Sequence, residues 1–85
     1  MKVRHSRTFK KQFLKLTPKL QQKFAERLRL WLVDPTSPQL RVHPLSGNKK
    51  GYWSMSIGGD LRVLYYFESE QVVVLALIGT HSQLY

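Results

Sequence analysis

The chain contains no cysteine and only five acidic residues, against fourteen lysines and arginines. Without cysteine there is neither a disulfide framework nor a thiolate metal site. The three histidines, at positions 5, 43 and 81, show no zinc-ligand spacing, so no metal and no cofactor are expected. Long apolar runs are missing too. The longest, Val72 to Ile78, is far short of a membrane span, and the first residues, MKVRHSR, lack the apolar stretch of a secretory signal. The expectation is a soluble, cytoplasmic protein with no membrane partner. No repeat or low-complexity segment interrupts the 85 residues, of which 42% are hydrophobic and 12% aromatic. That is enough for one core and too little for two, so residues 1–85 read as a single domain.

The scarcity of acid leaves a net charge of +9, which predicts a polyanionic partner, most often nucleic acid. The charge is uneven. Ten basic residues lie between Met1 and Val33 against the single acid Glu26, whereas from Leu61 onward only Arg62 stands against Glu68 and Glu70. The N-terminal half is the expected docking surface. Its candidate nucleic-acid contacts are Lys10, Lys11, Lys15, Lys19, Lys23 and Arg27, joined later in the chain by Lys49 and Lys50.

"MKVRHS" is a short strand candidate, after which Ser6 can cap a helix carrying Phe9, Phe13 and Leu16 on one face. Thr17 and Pro18 end that helix and begin the next, in which Leu20, Phe24, Leu28 and Trp31 or Leu32 repeat at helical spacing until Asp34 and Pro35. Residues 34–51 hold three of the four prolines and two of the five glycines and read as a long, mostly irregular connection. Connections of that length in small domains usually carry function. Three strands follow. In "YWSMSI", Trp53, Met55 and Ile57 alternate with Tyr52, Ser54 and Ser56; in "LRVLYYF", Leu61, Val63, Tyr65 and Phe67 alternate with Arg62, Leu64 and Tyr66. "VVVLALI" is apolar on both faces and reads as the central strand, with residues 79–85 as a short tail. The predicted fold is α+β, in the order β-α-α-β-β-β: an antiparallel helix pair on one face of a small, largely antiparallel sheet, the other face left for function.

Two charges, Asp60 and Arg62, stand where the turn "GGD" enters an apolar strand. A buried charge is costly unless paired, so Arg62 is expected to face outward, toward a ligand or toward an ion-pair partner in Asp60 or Glu68. The meander also brings the start of one strand next to the end of the next, so Asp60, Arg62 and His81 can converge. RNA is cleaved without a metal when its 2′-hydroxyl attacks the adjacent phosphate. The reaction needs a base, an acid and positive charge on the transition state. His43, Asp60, Arg62 and His81 supply those types. His5, beside the first helix cap, reads as structural. Tyr85 reads either as a frayed end or as a base-stacking aromatic.

Three segments carry a resemblance over essentially the whole chain: "HPLSGNKKGYWS", "GGDLRVLY" and "GTHSQLY". They are similar to the RelE superfamily of type II toxin–antitoxin toxins, and within it to the YafQ branch. That branch has a His-x-Leu-x-Gly segment followed by Lys-Gly-Tyr-Arg, an acidic residue before a strand ending in Tyr, and Gly-Thr-His with an aromatic four residues later. The resemblance implies a ribosome-dependent endoribonuclease, an mRNA interferase, inhibited by a small antitoxin that should be partly acidic. It puts His43, Asp60 and His81 at the branch's acid–base positions and Tyr85 at its terminal aromatic. Arg62 falls where RelE proper has an arginine on the scissile phosphate, and the basic helices would lie against ribosomal RNA. The chain departs from the branch at Ser56, where a further histidine is usual, and at Leu61, where a tryptophan is. The rival is a ParE-like inhibitor of DNA gyrase, which shares the fold and needs no His/Asp/Arg cluster.

Overall fold

Ser6 joins the first two elements through one hydroxyl. Its Oγ accepts from the Phe9 N–H at 2.9 Å, capping the helix α1 (Arg7–Leu14), and donates to the Ala76 carbonyl at 2.6 Å, fixing that cap to the sheet. The computed structural model describes residues 1–85. Before Ser6 runs β1 (Lys2–His5). Thr17 caps α2 (Pro18–Val33), with Pro18 at its first position, where a missing N–H costs nothing. Asp34 ends α2, and its carboxylate accepts from the N–H and the hydroxyl of Thr36, turning the chain away. There follow β2 (His43–Pro44), β3 (Trp53–Gly58), β4 (Leu61–Ser69), β5 (Val72–Thr80) and α3 (His81–Leu84).

The strands form one sheet in the order β1-β5-β4-β3-β2, antiparallel throughout except for the parallel pair of β1 and β5. The α1–α2 pair packs on one face. The rings of Phe9, Phe13 and Phe24 meet at centroid distances of 5.4–6.0 Å and sit with Leu28 against Met55, Ile57, Val63 and Leu75. At the far end of α2, Trp31 lies edge-on to Tyr65 and its Nε1–H donates to the Tyr65 hydroxyl at 3.1 Å, so both polar tips inside the core are paired. Burial pushes the Tyr65 phenol above the usual tyrosine range, an effect opposed by the Trp31 hydrogen bond.

Four features differ from the sequence reading. The middle strand is β4, and β5 lies one place toward the edge; β5 is still an interior strand, paired with β1 and β4 on its two edges, and α1 and α3 pack on it. Residues 34–51 are mostly irregular, as expected, but carry more structure than the sequence shows. Leu40, in a short 3₁₀ turn (Pro38–Leu40), is fully buried, and His43 and Pro44 pair with β3 as the edge strand β2. A strand of two residues has no period to read, and Pro44 fits only because an edge needs no N–H on its outer side. Residues 79–85 are not a tail but carry α3, whose Leu84 is buried. Finally, the sheet face opposite the helices is only partly open: its middle row, Ser54 and Leu64, is buried.

Candidate functional site

Gly59 and Asp60 make the turn between β3 and β4, helped by positive φ at Gly59 and at Gly58, the last residue of β3, so Asp60 stands at the tip and Arg62 is the second residue of β4. Leu61 pairs with Thr80 and Arg62 with Gly79, which sets the start of α3 beside the turn. The Asp60 carboxylate then accepts from the backbone N–H of His81 at 3.3 Å. One turn of α3 later, the Tyr85 ring stacks on His81 with centroids 4.5 Å apart. Asp60, Arg62, His81 and Tyr85 therefore meet at one end of the sheet.

Gly79 makes this possible by having no side chain. A Cβ there would stand 2.8 Å from Gln83 Oε1 and 3.3 Å from Leu84, so α3 folds directly onto the strand. Gln83 Oε1 also accepts from the Thr80 N–H at 2.8 Å, the returning half of a Thr-x-x-Gln capping box. That box is visible in the sequence and was the available signal for α3. A second brace without a sequence signal is Gln12 on α1, whose Oε1 accepts from the Ile78 N–H at 2.8 Å, where β1 no longer reaches.

Arg62 is not an ion-pair partner for either acid. The one salt bridge in the structure joins Arg4 to Glu68 at 2.8 Å, and the Arg62 Nε, though buried, has no hydrogen-bond partner. Its cross-strand neighbour is Ser56, the position where the branch described above carries a histidine. The guanidinium is thus uncommitted on its own face, which is the state that recognition of an anion requires.

His43 is not brought into the same cluster. On β2 it pairs with Ser54 of β3, two strands from β4, a lateral separation of about 10 Å from Arg62 at the usual strand spacing. Its Nδ1 lies 3.0 Å from the Arg41 carbonyl. A carbonyl only accepts, so Nδ1 carries the proton in that contact, which leaves Nε2 as the ring nitrogen free for other partners. Arg41 holds the carbonyl there from a left-handed backbone (φ 47°), a conformation non-glycine residues adopt at a cost of about 1–2 kcal/mol.

Among the basic candidates, Lys10, Lys11, Lys15, Lys19 and Lys50 are exposed, and Lys49 is half-buried. Lys23 lays its stem over Gly58, and with Lys19, Glu26 and Arg27 it lines a cleft of about 740 Å³ that ends at Gly59, next to Asp60. Arg27 is partly spent on structure: it donates to the Ile57 carbonyl at 3.2 Å and to Gln39 at 2.7 Å, bracing α2 on β3. His5 packs tilted against Phe9, and partial burial, with Lys10 nearby, lowers its pKa below the usual histidine value.

The fold that carries these residues has known counterparts. The family model described as the bacterial toxin of a type II toxin–antitoxin system, YafQ, matches residues 1–85. The chain belongs to the YafQ family of type II toxins. Similar solved structures agree in fold. YafQ from E. coli strain BL21(DE3) is 23% identical over 98% of this chain and 96% of its own, with a TM-score of 0.80. YafQ in the E. coli DinJ–YafQ toxin–antitoxin complex is 25% identical over 98% and 94%, with a TM-score of 0.74. A YoeB/ParE toxin from Agrobacterium tumefaciens is 21% identical over 95% and 99%, with a TM-score of 0.79. No curated protein sequence matches this YafQ-family chain.

Proposed function

We propose that this YafQ-family toxin is an endoribonuclease that cuts mRNA on the ribosome, in the cytoplasm, and is held in check by a cognate antitoxin. The observation that carries the reading is the position of Arg62. Its guanidinium has no acidic partner and lies on β4, with His43 on the β2 side and His81 just past the end of β5 on the other. Transphosphorylation of RNA is an in-line displacement, with the attacking 2′-oxygen and the leaving 5′-oxygen on opposite sides of phosphorus. A base and an acid must then flank the phosphate, and two histidines on opposite sides of an arginine fit that need.

In this mechanism His43 Nε2 takes the 2′-hydroxyl proton, since its Nδ1 is already engaged with Arg41. The 2′-oxygen bonds to phosphorus and the bond to the 5′-oxygen breaks. Protonated His81 gives its proton to that oxygen, leaving a 2′,3′-cyclic phosphate and a 5′-hydroxyl. Arg62 stabilises the non-bridging oxygens, and with Ser56 opposite it in place of a histidine, it carries that charge alone. Asp60, through its bond to the His81 N–H, positions the histidine. Tyr85, 47% exposed and stacked on His81, offers its outer face to a nucleotide. The cleft of Lys19, Lys23 and Arg27 and the exposed lysines of α1 extend a basic surface from the site for ribosomal RNA. An antitoxin, as DinJ is for E. coli YafQ, is the partner of matching charge.

The similarity to a YoeB/ParE toxin keeps a gyrase-type inhibitor as the alternative. Pulse labelling after induction separates the two. The nuclease reading predicts that amino-acid incorporation stops first while DNA synthesis continues; an early stop of thymidine incorporation with translation intact would overturn it.

A further inference from the structure

Four residues along β4 from Arg62, on the same face by strand alternation, stands Tyr66. Its ring meets that of Tyr52 edge to face, with centroids 5.5 Å apart. Neither ring belongs to the core cluster, and both are half-exposed. With Lys50, Gly51 and Phe67 they line a shallow, open hollow of about 250 Å³, just under the volume range of small-ligand pockets. Gly51 sits at φ +96° with nothing within 4 Å of where a Cβ would be, so the approach to the pair is open. The hydroxyls of both tyrosines form no hydrogen bond to the protein, whereas that of Tyr65 is paired.

We infer that Tyr52 and Tyr66 form a base-stacking subsite for the RNA strand whose phosphate Arg62 holds, with Lys50 at its mouth on a neighbouring phosphate. The inference rests on the nuclease reading above and names where the rest of the substrate strand lies. Tyr66 is about 13 Å from Arg62 along the strand, no more than about four nucleotides at the stacked rise of 3.4 Å. An aromatic platform recognises any base by its π-face, and a lysine beside it answers the backbone charge, the pairing common to single-strand binders. The T-shaped pair presents one ring face and one ring edge, so a base entering the cavity can stack on one tyrosine and abut the other.

The test is the affinity of the full chain for a fluorescein-labelled, fully 2′-O-methylated RNA octanucleotide, which cannot be cleaved, measured against salt. Tyr66→Ala is expected to weaken binding about 5- to 150-fold without changing the slope of log K against log salt. Tyr66→Phe keeps wild-type affinity. Lys50→Ala lowers the slope by about 0.7, one single-strand phosphate. Tyr52→Leu, which preserves bulk, should weaken binding as Tyr66→Ala does, and thermal melts exclude unfolding as the cause. Unchanged affinity in folded Tyr66→Ala overturns the subsite, including the case in which the pair serves a protein partner instead. The nuclease reading stands or falls separately, by mRNA cleavage in a translating extract. Binding that depends on Tyr66 without cleavage removes only the catalytic reading, and cleavage with Tyr66-independent binding removes only the subsite.

Discussion

Arg62 and His5 show how differently single residues answer to their surroundings. Arg62 is half-buried with an unpartnered Nε, a costly arrangement that the fold alone does not repay. Its loss should therefore hurt activity and spare stability. Arg62→Ala is expected to lower mRNA cleavage about 10²–10³-fold, the scale of a lost transition-state donor, and Arg62→Lys to recover only part, because a point charge does not reproduce the guanidinium fork. Primer extension together with urea melts measures both. Asp60→Asn, which still offers an oxygen to the His81 N–H, should retain most activity, whereas Asp60→Ala should not. Equal loss in both would make Asp60 a proton-transfer group instead of a positioning one. His5 answers to pH. Its folded pKa is lowered by burial and Lys10, so the unfolded chain takes the proton first as pH falls. Its stabilising contribution is complete above about 6.5 and is lost as pH falls through that value toward the folded pKa. The urea midpoint should fall between pH 7.5 and pH 5, and His5→Gln should flatten that fall.

At the scale of elements, the site is assembled by the turn before β4 and by α3 at the end of β5. Gly79→Ala puts a methyl against Gln83 and Leu84, at a cost of about 1 kcal/mol, and shifts α3 with His81 on it. Cleavage should drop by more than this stability loss explains, which chemical melts and primer extension on one preparation would show. Trp31→Phe leaves the buried Tyr65 hydroxyl without its donor and should cost about 1–3 kcal/mol in unfolding free energy, with the site untouched. The helix pair was legible in the sequence because Ser6, Thr17 and Pro18 are strong caps and Phe9, Phe13, Phe24 and Leu28 keep a 3.6-residue period over several turns. The convergence of Asp60, Arg62 and His81 was legible because a tight meander leaves little choice of register. The strand β2 and its Arg41–His43 contact were not, since two residues define no period and a left-handed arginine has no sequence signature. The helix α3 was missed although its Thr80-x-x-Gln83 capping box stands in the sequence; four residues gave it no apolar repeat.

Across the whole molecule, +9 on 85 residues sets the terms of association. Exposed lysines on α1 and at the start of α2, with the cleft at the β3–β4 turn, give a basic surface that leads to the site from the helical side, while the Tyr52–Tyr66 pair lies on the strand side. None of those lysines forms a side-chain hydrogen bond or salt bridge within the chain, so their work is electrostatic and should vanish with salt. Lys10→Ala, Lys11→Ala and Lys15→Ala combined should weaken association with ribosomes and flatten its salt dependence, while leaving the melting temperature within about a degree or two because exposed charges contribute little to folding. On the proposed reading, the same surface calls for an antitoxin of opposite charge, because an uncovered +9 would bind RNA without discrimination.

The central claim is that the residues around Arg62 cut mRNA on the ribosome. It is tested most directly by primer extension on a reporter mRNA in a translating extract, with wild-type protein and a folded His81→Ala variant side by side. The account predicts codon-positioned breaks with the wild type that fall about 10²–10⁴-fold with His81→Ala. Breaks of equal intensity in both lanes, or intact mRNA with the wild type, would contradict it.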